Sequence, residues 1–437
     1  ALAQEATHLE EGRFPFVFQA DASTTRLKTP QLTSDATLAG QGNTLVVGTQ
    51  LGRTFSTGTV ASLRLQGQYS NGQSSLCGRL GTSPDCYQAS LRVGLSQPLL
   101  SGYGPHVNLA GLRAARINEQ KQRKSLDRRS SELLRDALLG YWEIFYASKA
   151  VEIQQAALDL ATNQQNEAEQ RVALGQLAAA DALKFRTQVA TLTESLINAQ
   201  AALETSTTEL ARLVGTARAP WTASDREPEL APLPSQQTII QRLREQSPAL
   251  AEQTEALRLA RERRSAAGDE YRARLDATTW VEAGGLSAGE MSPAFRQVGT
   301  MNTISVYAGL TFQKTLDEKR LRAARAQAAE NEALAEATLT ASAQQLEAAA
   351  VEAWQKVQQA RALRDAASTT LEIASQQAEN ERERFHVGAN TALDVQVAED
   401  TLRQARLRVV RATVDQTKAR ITLDHATGDL LAAWFGR

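Results

Sequence analysis

From Thr315 to Val387 the chain runs for roughly seventy residues without a glycine or a proline, the two residues that most readily interrupt a helix. A continuous helix of that length would extend about 110 Å at ~1.5 Å per residue, several times the width of a small globular domain. Along it Leu339, Ala343, Leu346, Ala350, Ala353, Val357, Ala360, Ala367, Leu371, Ala374, Ala378 and Phe385 recur at alternating steps of four and three, interrupted only by Arg364 and Glu381. This is the spacing of a coiled-coil seam, and an alanine-rich seam lets helix axes approach closely.

A chain of 437 residues could hold two or three ordinary domains, but sparse Gly and Pro and long Ala/Leu/Gln/Glu/Arg tracts point to extended helices whose core is spread along a bundle. Basic and acidic residues nearly cancel to a formal net charge of -1, which gives no polyanion-binding surface, so nucleic acid is not an expected partner. No run approaches the eighteen or so apolar residues of a membrane-spanning helix, so any membrane passage must be made by strands. The chain opens at Ala1 inside helical sequence (ALAQEATHLEEGR) without an initiator methionine, which reads as a mature or trimmed form. Its two cysteines, Cys77 and Cys86, share one Gly/Ser/Pro-rich loop. That placement suits a short disulfide loop in an oxidising compartment; the alternative is two reduced surface thiols.

Between Phe14 and Leu100 helical spacing gives way to alternation. Leu63, Leu65 and Tyr69 fall on one face and Arg64, Gln66 and Gln68 on the other, and Leu91, Val93 and Leu95 alternate with Arg92, Gly94 and Ser96 in the same way. Such strands suit a half-buried sheet or a barrel wall between lipid and water. Residues 14–22 and 44–53 are weaker strand candidates, and a turn at Thr57-Gly58 would make 44–53 and 59–70 a hairpin. Helical spacing resumes after Gly102-Tyr103-Gly104-Pro105 and runs to about Val172, where the cluster Tyr141, Trp142, Phe145 and Tyr146 reads as packing. Gly175 ends that helix, and Asp181 stands where the next begins, a position that favours a carboxylate. That helix ends at Gly215, before a proline-rich linker over 216–235.

Beyond the linker the order repeats: a helix from about Gln236 to Arg274, alternating segments at 278–284 and 303–312 around a Gly/Ser/Met/Pro loop, the long helix, a glycine break and another helix. Shifting the chain by 213 residues superposes Arg171 on Arg384, Gly175 on Gly388, Ala179 on Ala392, Asp181 on Asp394, Ala199 on Ala412, Leu210 on Leu423 and Gly215 on Gly428. The seam Phe185, Val189, Leu192, Leu196 falls on Ala398, Leu402, Ala405, Val409. Shared break, seam and stop indicate a duplication. Residues 1–215 form the first repeat, with strands within about 14–100 and a helical hairpin over about 105–215. Residues 236–437 form the second, with strands at about 277–312 and a hairpin over about 315–428. The first repeat has about thirty fewer residues ahead of its strands, as though part of a first helix were missing.

With its two turns LGQLAAAD and VGANTALD, the passage LSQPLLSGYGPHVNLAGLRAAR, the aromatic helix GYWEIFYA and the ending TLDHATGDL, the chain resembles the TolC-type outer membrane efflux protein family over almost its whole length. The resemblance implies an α+β membrane protein whose duplicated helix-strands-helix-helix repeat forms a trimeric transmembrane β-barrel continued by a long α-helical coiled-coil barrel across the periplasm. It implies a passive outer membrane channel of a tripartite efflux or type I secretion system in a Gram-negative bacterium, opened by docking. The implied partners are two further copies of the chain, a periplasmic adaptor (membrane fusion) protein, an inner membrane transporter of the RND or ABC type, and outer membrane lipid. Members usually supply two strands per repeat; here the first half has room for four, so an extra hairpin either enlarges the barrel or lies outside it.

The same resemblance assigns residues. Leu174, Gly175 and Gln176, with Val387, Gly388 and Ala389, match the tips that meet adaptor hairpins, where glycine allows a tight reversal. Asp394 matches an aspartate ring at the periplasmic aperture, where crowded like charges set selectivity and opening; a plain helix-terminal carboxylate explains Asp394 and Asp181 equally well. Family members can shut the aperture with an arginine and a tyrosine bonded to an aspartate of the other repeat. Asp181 is present, but Asn390 stands at the arginine position and Phe385 at the tyrosine position, so closure is expected to rest on Asn390 hydrogen bonds and Phe385 packing.

Other chemistry finds no support. His8, His106, His386 and His425 are scattered without a second ligand at metal spacing. No catalytic triad or dyad can be assembled, and Gly102-Tyr103-Gly104 lacks a nucleotide-binding context. Neither an enzyme nor a cofactor is expected. The competing readings are a coiled-coil scaffold, which leaves the strands at matching points of both halves unexplained, and a periplasmic adaptor, which should carry one hairpin rather than two.

Overall fold

The computed structural model describes residues 2–32, 37–72, 77, 83–175, 178–216, 224 and 231–435. Among them are six strands: β1 (Phe16–Leu32), β2 (Thr37–Thr54), β3 (Val60–Gly72), β4 (Asp85–Pro98), β5 (Arg274–Ser287) and β6 (Thr303–Gln313). The helices are α1 (Leu2–Glu11), α2 (Pro105–Asn108), α3 (Ala110–Ala173), α4 (Ala179–Val214), α5 (Gln236–Gln246), α6 (Pro248–Glu270), α7 (Met291–Thr300), α8 (Lys319–His386), α9 (Ala392–Thr427) and α10 (Asp429–Phe435). The chain divides into two compact units, one of Ala1–Gln122 with Thr254–Ala337 and one of Arg123–Gln253 with Thr338–Arg437.

The first unit holds one antiparallel sheet in the order β1-β2-β3-β4-β5-β6. The extra hairpin β1–β2 is therefore part of the sheet and extends it at one edge. Both weaker strand candidates lie in long strands, β1 and β2, paired from Phe16 with Arg53 to Leu32 with Thr37. Each edge strand pairs on one side only, and among the described residues the sheet is open.

Two expectations are corrected. The helix expected over 236–274 is two helices, because Pro248 lacks the N–H that a continuous helix would need and disfavours helical backbone at Ser247 before it; the second ends at Glu270, and β5 starts at Arg274. The loop expected between β5 and β6 contains α7. Met291, Ala294, Phe295 and Val298 are spaced for one face of a helix, and Pro293 is tolerated in its first turn. Ala294 and Val298 are buried against Ala89 and Ala283 of β4 and β5, with Leu91 beside them. Gln297 pins the helix by accepting from the Leu286 N–H at 2.9 Å and donating to the Leu286 carbonyl at 3.0 Å.

This seat requires glycine at 285, where a Cβ would lie 1.9 Å from the Ala294 carbonyl oxygen. Gly285→Val is therefore expected to lift α7 off the sheet. The measurement is limited proteolysis, with new cleavage within 291–300 while the strands stay protected.

In the second unit α8 and α9 form one hairpin and α3 and α4 another. Ala374 and Ala378 of α8 pack on Ala398, Leu402 and Ala405 of α9. Higher up, Ala350, Ala353 and Val357 meet Leu423 and the buried Ile239 and Leu243 of α5. Ser235 caps α5 by accepting from the Thr238 N–H, and Trp354 donates to the Pro234 carbonyl at 3.0 Å. On α3, Trp142 lies edge-on to Tyr141 and Phe145 and packs against Leu138, Ile421 and Leu430, so this aromatic cluster is core.

Candidate functional site

The sheet separates its chemistry by face. One transverse row reads Phe18, Leu51, Leu63, Val93, Val281, Val306 from β1 to β6, and the adjoining row reads Gln19, Gln50, Arg64, Arg92, Glu282, Ser305. Neighbouring residues on a strand point to opposite faces, so one face is apolar and the other polar. Every side chain of the apolar row is at least 41% exposed. Leaving six such groups half in water forgoes roughly 5–10 kcal/mol of burial, comparable with the whole stability of a domain. On the polar face charges are paired: Arg64 pairs with Asp21 at 3.1 Å, and Arg92 pairs with Glu282 at 2.6 Å while lying over the Trp280 ring.

On the apolar face the rings of Tyr69 and Tyr87 lie 5.1 Å apart near one end, and Phe16 stands in the row of Leu95 near the other. From Tyr87 to Leu95 is about 27 Å at a rise of ~3.4 Å per residue, and strand tilt brings this close to the ~25 Å apolar band of an outer membrane barrel. Among the described residues no helix is long and apolar enough to cross a membrane.

The helical hairpins turn in closely similar ways. Gly175 has φ 71° and Gly388 φ 72°, both left-handed, with open space where a Cβ would be. Beside them Leu174 and Val387 are 71% and 80% exposed. The Ala389 N–H returns to the Arg384 carbonyl at 2.8 Å. Gln176 lies outside the described residues.

The aperture candidates have separate partners. Asp394, the third residue of α9, closes a capping box: its carboxylate accepts from the Thr391 hydroxyl at 2.6 Å and the Thr391 N–H at 2.8 Å. These bonds hold its carboxyl below the ordinary aspartate value. Asp181 is the third residue of α4, but Ala178 at its N-cap offers no hydroxyl, and the carboxylate pairs with Lys184 at 2.9 Å instead. Asn390 donates to the carbonyl and the carboxylate of Glu381, at 2.9 and 2.5 Å, tying the tip back onto α8. Phe385 packs with Ala168, Phe185 and Ala392, and the Arg171 guanidinium lies 5.7 Å from its ring centre. It lines a cleft of about 220 Å³ where the two hairpins meet. Cys77 and Cys86 are disulfide-bonded, with Cα atoms 5.4 Å apart.

Sequence reasoning missed an ion pair repeated with its charges exchanged. Glu169 of α3 pairs with Arg186 of α4 at 2.9 Å. Shifted by 213 residues, these positions are Arg382 and Glu399, which also pair across their hairpin. The signal was present as opposite charges at superposed positions, but identity matching is blind to it. Also missed was Glu143, which receives Arg411 at 2.8 Å and Lys418. Partial burial pushes its carboxyl up, but the bonds from Lys418 and Arg411 outweigh this and leave it below the ordinary glutamate value.

Residues 239–429 match the family model described as outer membrane efflux protein. No curated protein matches the sequence significantly. Among solved structures, a membrane protein from Pseudomonas aeruginosa superposes with a TM-score of 0.65 at 16% identity, covering 98% of this chain and 88% of its own. The outer membrane protein VceC from Vibrio cholerae superposes with a TM-score of 0.65 at 15% identity, over 98% and 90% of the two chains. The open-state outer membrane channel MtrE from Neisseria gonorrhoeae gives 0.62 at 15%, over 98% and 84%. The fold, with its mixture of a two-faced sheet and long helical hairpins, is that of outer membrane channels. Residues 239–429 carry the sequence pattern of the outer membrane efflux protein family, and the chain shares its fold with these channels.

Two measurements test the helical part. Arg382→Glu is expected to cost roughly 1–2 kcal/mol, and Arg382→Glu with Glu399→Arg to recover most of it, read as unfolding free energies in a double-mutant cycle. The Glu143 contribution is present above the ordinary value of 4.5 and lost as pH falls through the lowered one; Glu143→Gln should therefore flatten the acid limb of a stability-against-pH curve.

Proposed function

We propose that this chain is the outer membrane conduit of a tripartite efflux or type I secretion system. Three copies join β1 of one to β6 of the next and close a barrel, with the apolar face against lipid and the polar face lining the lumen. The row of exposed apolar side chains crossing all six strands beside a row of polar ones carries this reading. Water is a poor solvent for the first row, and lipid is a poor solvent for unpaired edge strands, so membrane insertion and edge pairing satisfy both together.

The helices extend the conduit into the periplasm. Residues 1–215 and 236–437 are two copies of one ancestral half, joined by 216–235; the charge-exchanged ion pair and the matched glycine turns support this. The tips at Leu174, Gly175 and Gln176 and at Val387, Gly388 and Ala389 meet a periplasmic adaptor, which couples the conduit to an inner membrane transporter of the RND or ABC type. The chain supplies passage and no chemistry of its own. Asp394 from each copy forms a carboxylate ring at the aperture, kept ionised by the Thr391 cap. Asn390 holds the tip against α8, and Phe385 packs the hairpins together in the closed arrangement.

Reconstitution of the purified protein in a planar bilayer tests this. Conducting trimers are expected, with Asp394→Asn lowering the preference for cations and Asn390→Ala raising the open fraction. A protein that neither inserts nor conducts is a scaffold or an adaptor. If Asn390→Ala leaves conductance and leak of large antibiotics unchanged, the closing role of Asn390 is wrong.

A further inference from the structure

Helix α7 lies on the apolar face of the sheet, one row inside the Tyr69–Tyr87 pair: its Ala294 meets Ala89 and Ala283, and its Met291 reaches Gly67. A helix seated there to shield apolar surface from water would turn its own apolar residues inward and polar ones outward. α7 does only half of this. Ala294 and Val298 face the sheet, but Phe295 stays 38% exposed, and Met301, the cap that follows it, is 60% exposed. Beside the helix runs an apolar groove of about 270 Å³, walled by Leu45, Val47, Leu65, Tyr69, Met291 and Phe295. Its strand walls are continuous with the apolar row, and Arg296, exposed beside Phe295, is the one basic residue in the β5–β6 connection.

We infer that α7 and this groove form a lipid-binding site at the rim of the barrel, with an acyl chain lying in the groove and α7 resting at the boundary between acyl chains and headgroups. The inference rests on the apolar face being the membrane face. An amphipathic helix with aromatic and basic residues side by side is suited to that boundary, and an apolar groove open along one side, lined by no charged residue and with the Tyr69 hydroxyl already donating to Asp85, fits an unbranched chain better than a polar ligand. Gly67 and Gly285 are the clearances that let the helix sit low enough to wall the groove.

The test is collision accessibility of a nitroxide attached to one introduced thiol, in the full-length protein reconstituted in phosphatidylethanolamine–phosphatidylglycerol vesicles. The two native cysteines are bonded to each other, so each variant carries a single reactive thiol. Val306→Cys reports the apolar row and Ser305→Cys the opposite face; Phe295→Cys and Arg296→Cys report α7. Expected is an oxygen-favoured ratio at Val306→Cys, a nickel-chelate-favoured ratio at Ser305→Cys, and intermediate values at both α7 sites, with Phe295→Cys the closer to Val306→Cys. A ratio at Phe295→Cys equal to that of Ser305→Cys means that the helix stands in water and overturns the lipid site, while Val306→Cys still supports the membrane face. Screening of both α7 sites from both reagents means that protein covers them, such as a second copy of the chain, and also overturns it. A nickel-favoured Val306→Cys removes the membrane reading and the lipid site together.

Discussion

Pairing of main-chain groups across the sheet governs everything else in the strand-bearing unit. Each N–H and C=O removed from water must find a partner, and among the described residues the outer sides of β1 and β6 leave a full row of such groups without a neighbouring strand. The register that satisfies the rest also decides the surface. Because Leu63 stands beside both Leu51 and Val93, and Val281 beside both Val93 and Val306, five separate alternations line up as one apolar band. A slip of one residue in β3 or β4 would put Arg64 or Arg92 into that band.

Much of this architecture was legible in the chain. The seam of the long helix marks its buried side: Ala350, Ala353, Val357, Ala374 and Ala378, all placed there by spacing alone, are buried. Even Arg364 and Glu381, which interrupt the seam, are only partly exposed, since a helix cannot turn one residue away without turning its neighbours. Spacing failed where elements were short or mixed. Residues 291–300 contain Pro293 and Gly299, which mask ten residues of good amphipathic spacing, and Pro248 was absorbed into a longer pattern that it in fact divides.

The candidate site was less legible, because its residues act through particular partners. Asp181 and Asp394 occupy equivalent places in the chain, yet Thr391 draws one into a cap and Lys184 draws the other outward. That difference turns on Ala178 against Thr391, a single position. Asn390 bonds within its own hairpin, a contact that no spacing rule predicts. The exchange of Glu169 and Arg186 for Arg382 and Glu399 eludes comparison by identity for the same reason: what is kept is the attraction between two positions, and the residue types are free to trade places.

Six strands, each antiparallel to the next, fix a parity. β1 and β6 run in opposite senses, so two copies standing side by side in the same orientation present each other with edges that meet antiparallel. An odd count would force a parallel seam, with slanted bonds and weaker pairing. Adding the β1–β2 hairpin as a unit, rather than one strand, enlarges the sheet without disturbing that rule. In the barrel proposed above, strands can be gained in pairs, and its girth is free to change in steps of two while the way copies join stays the same.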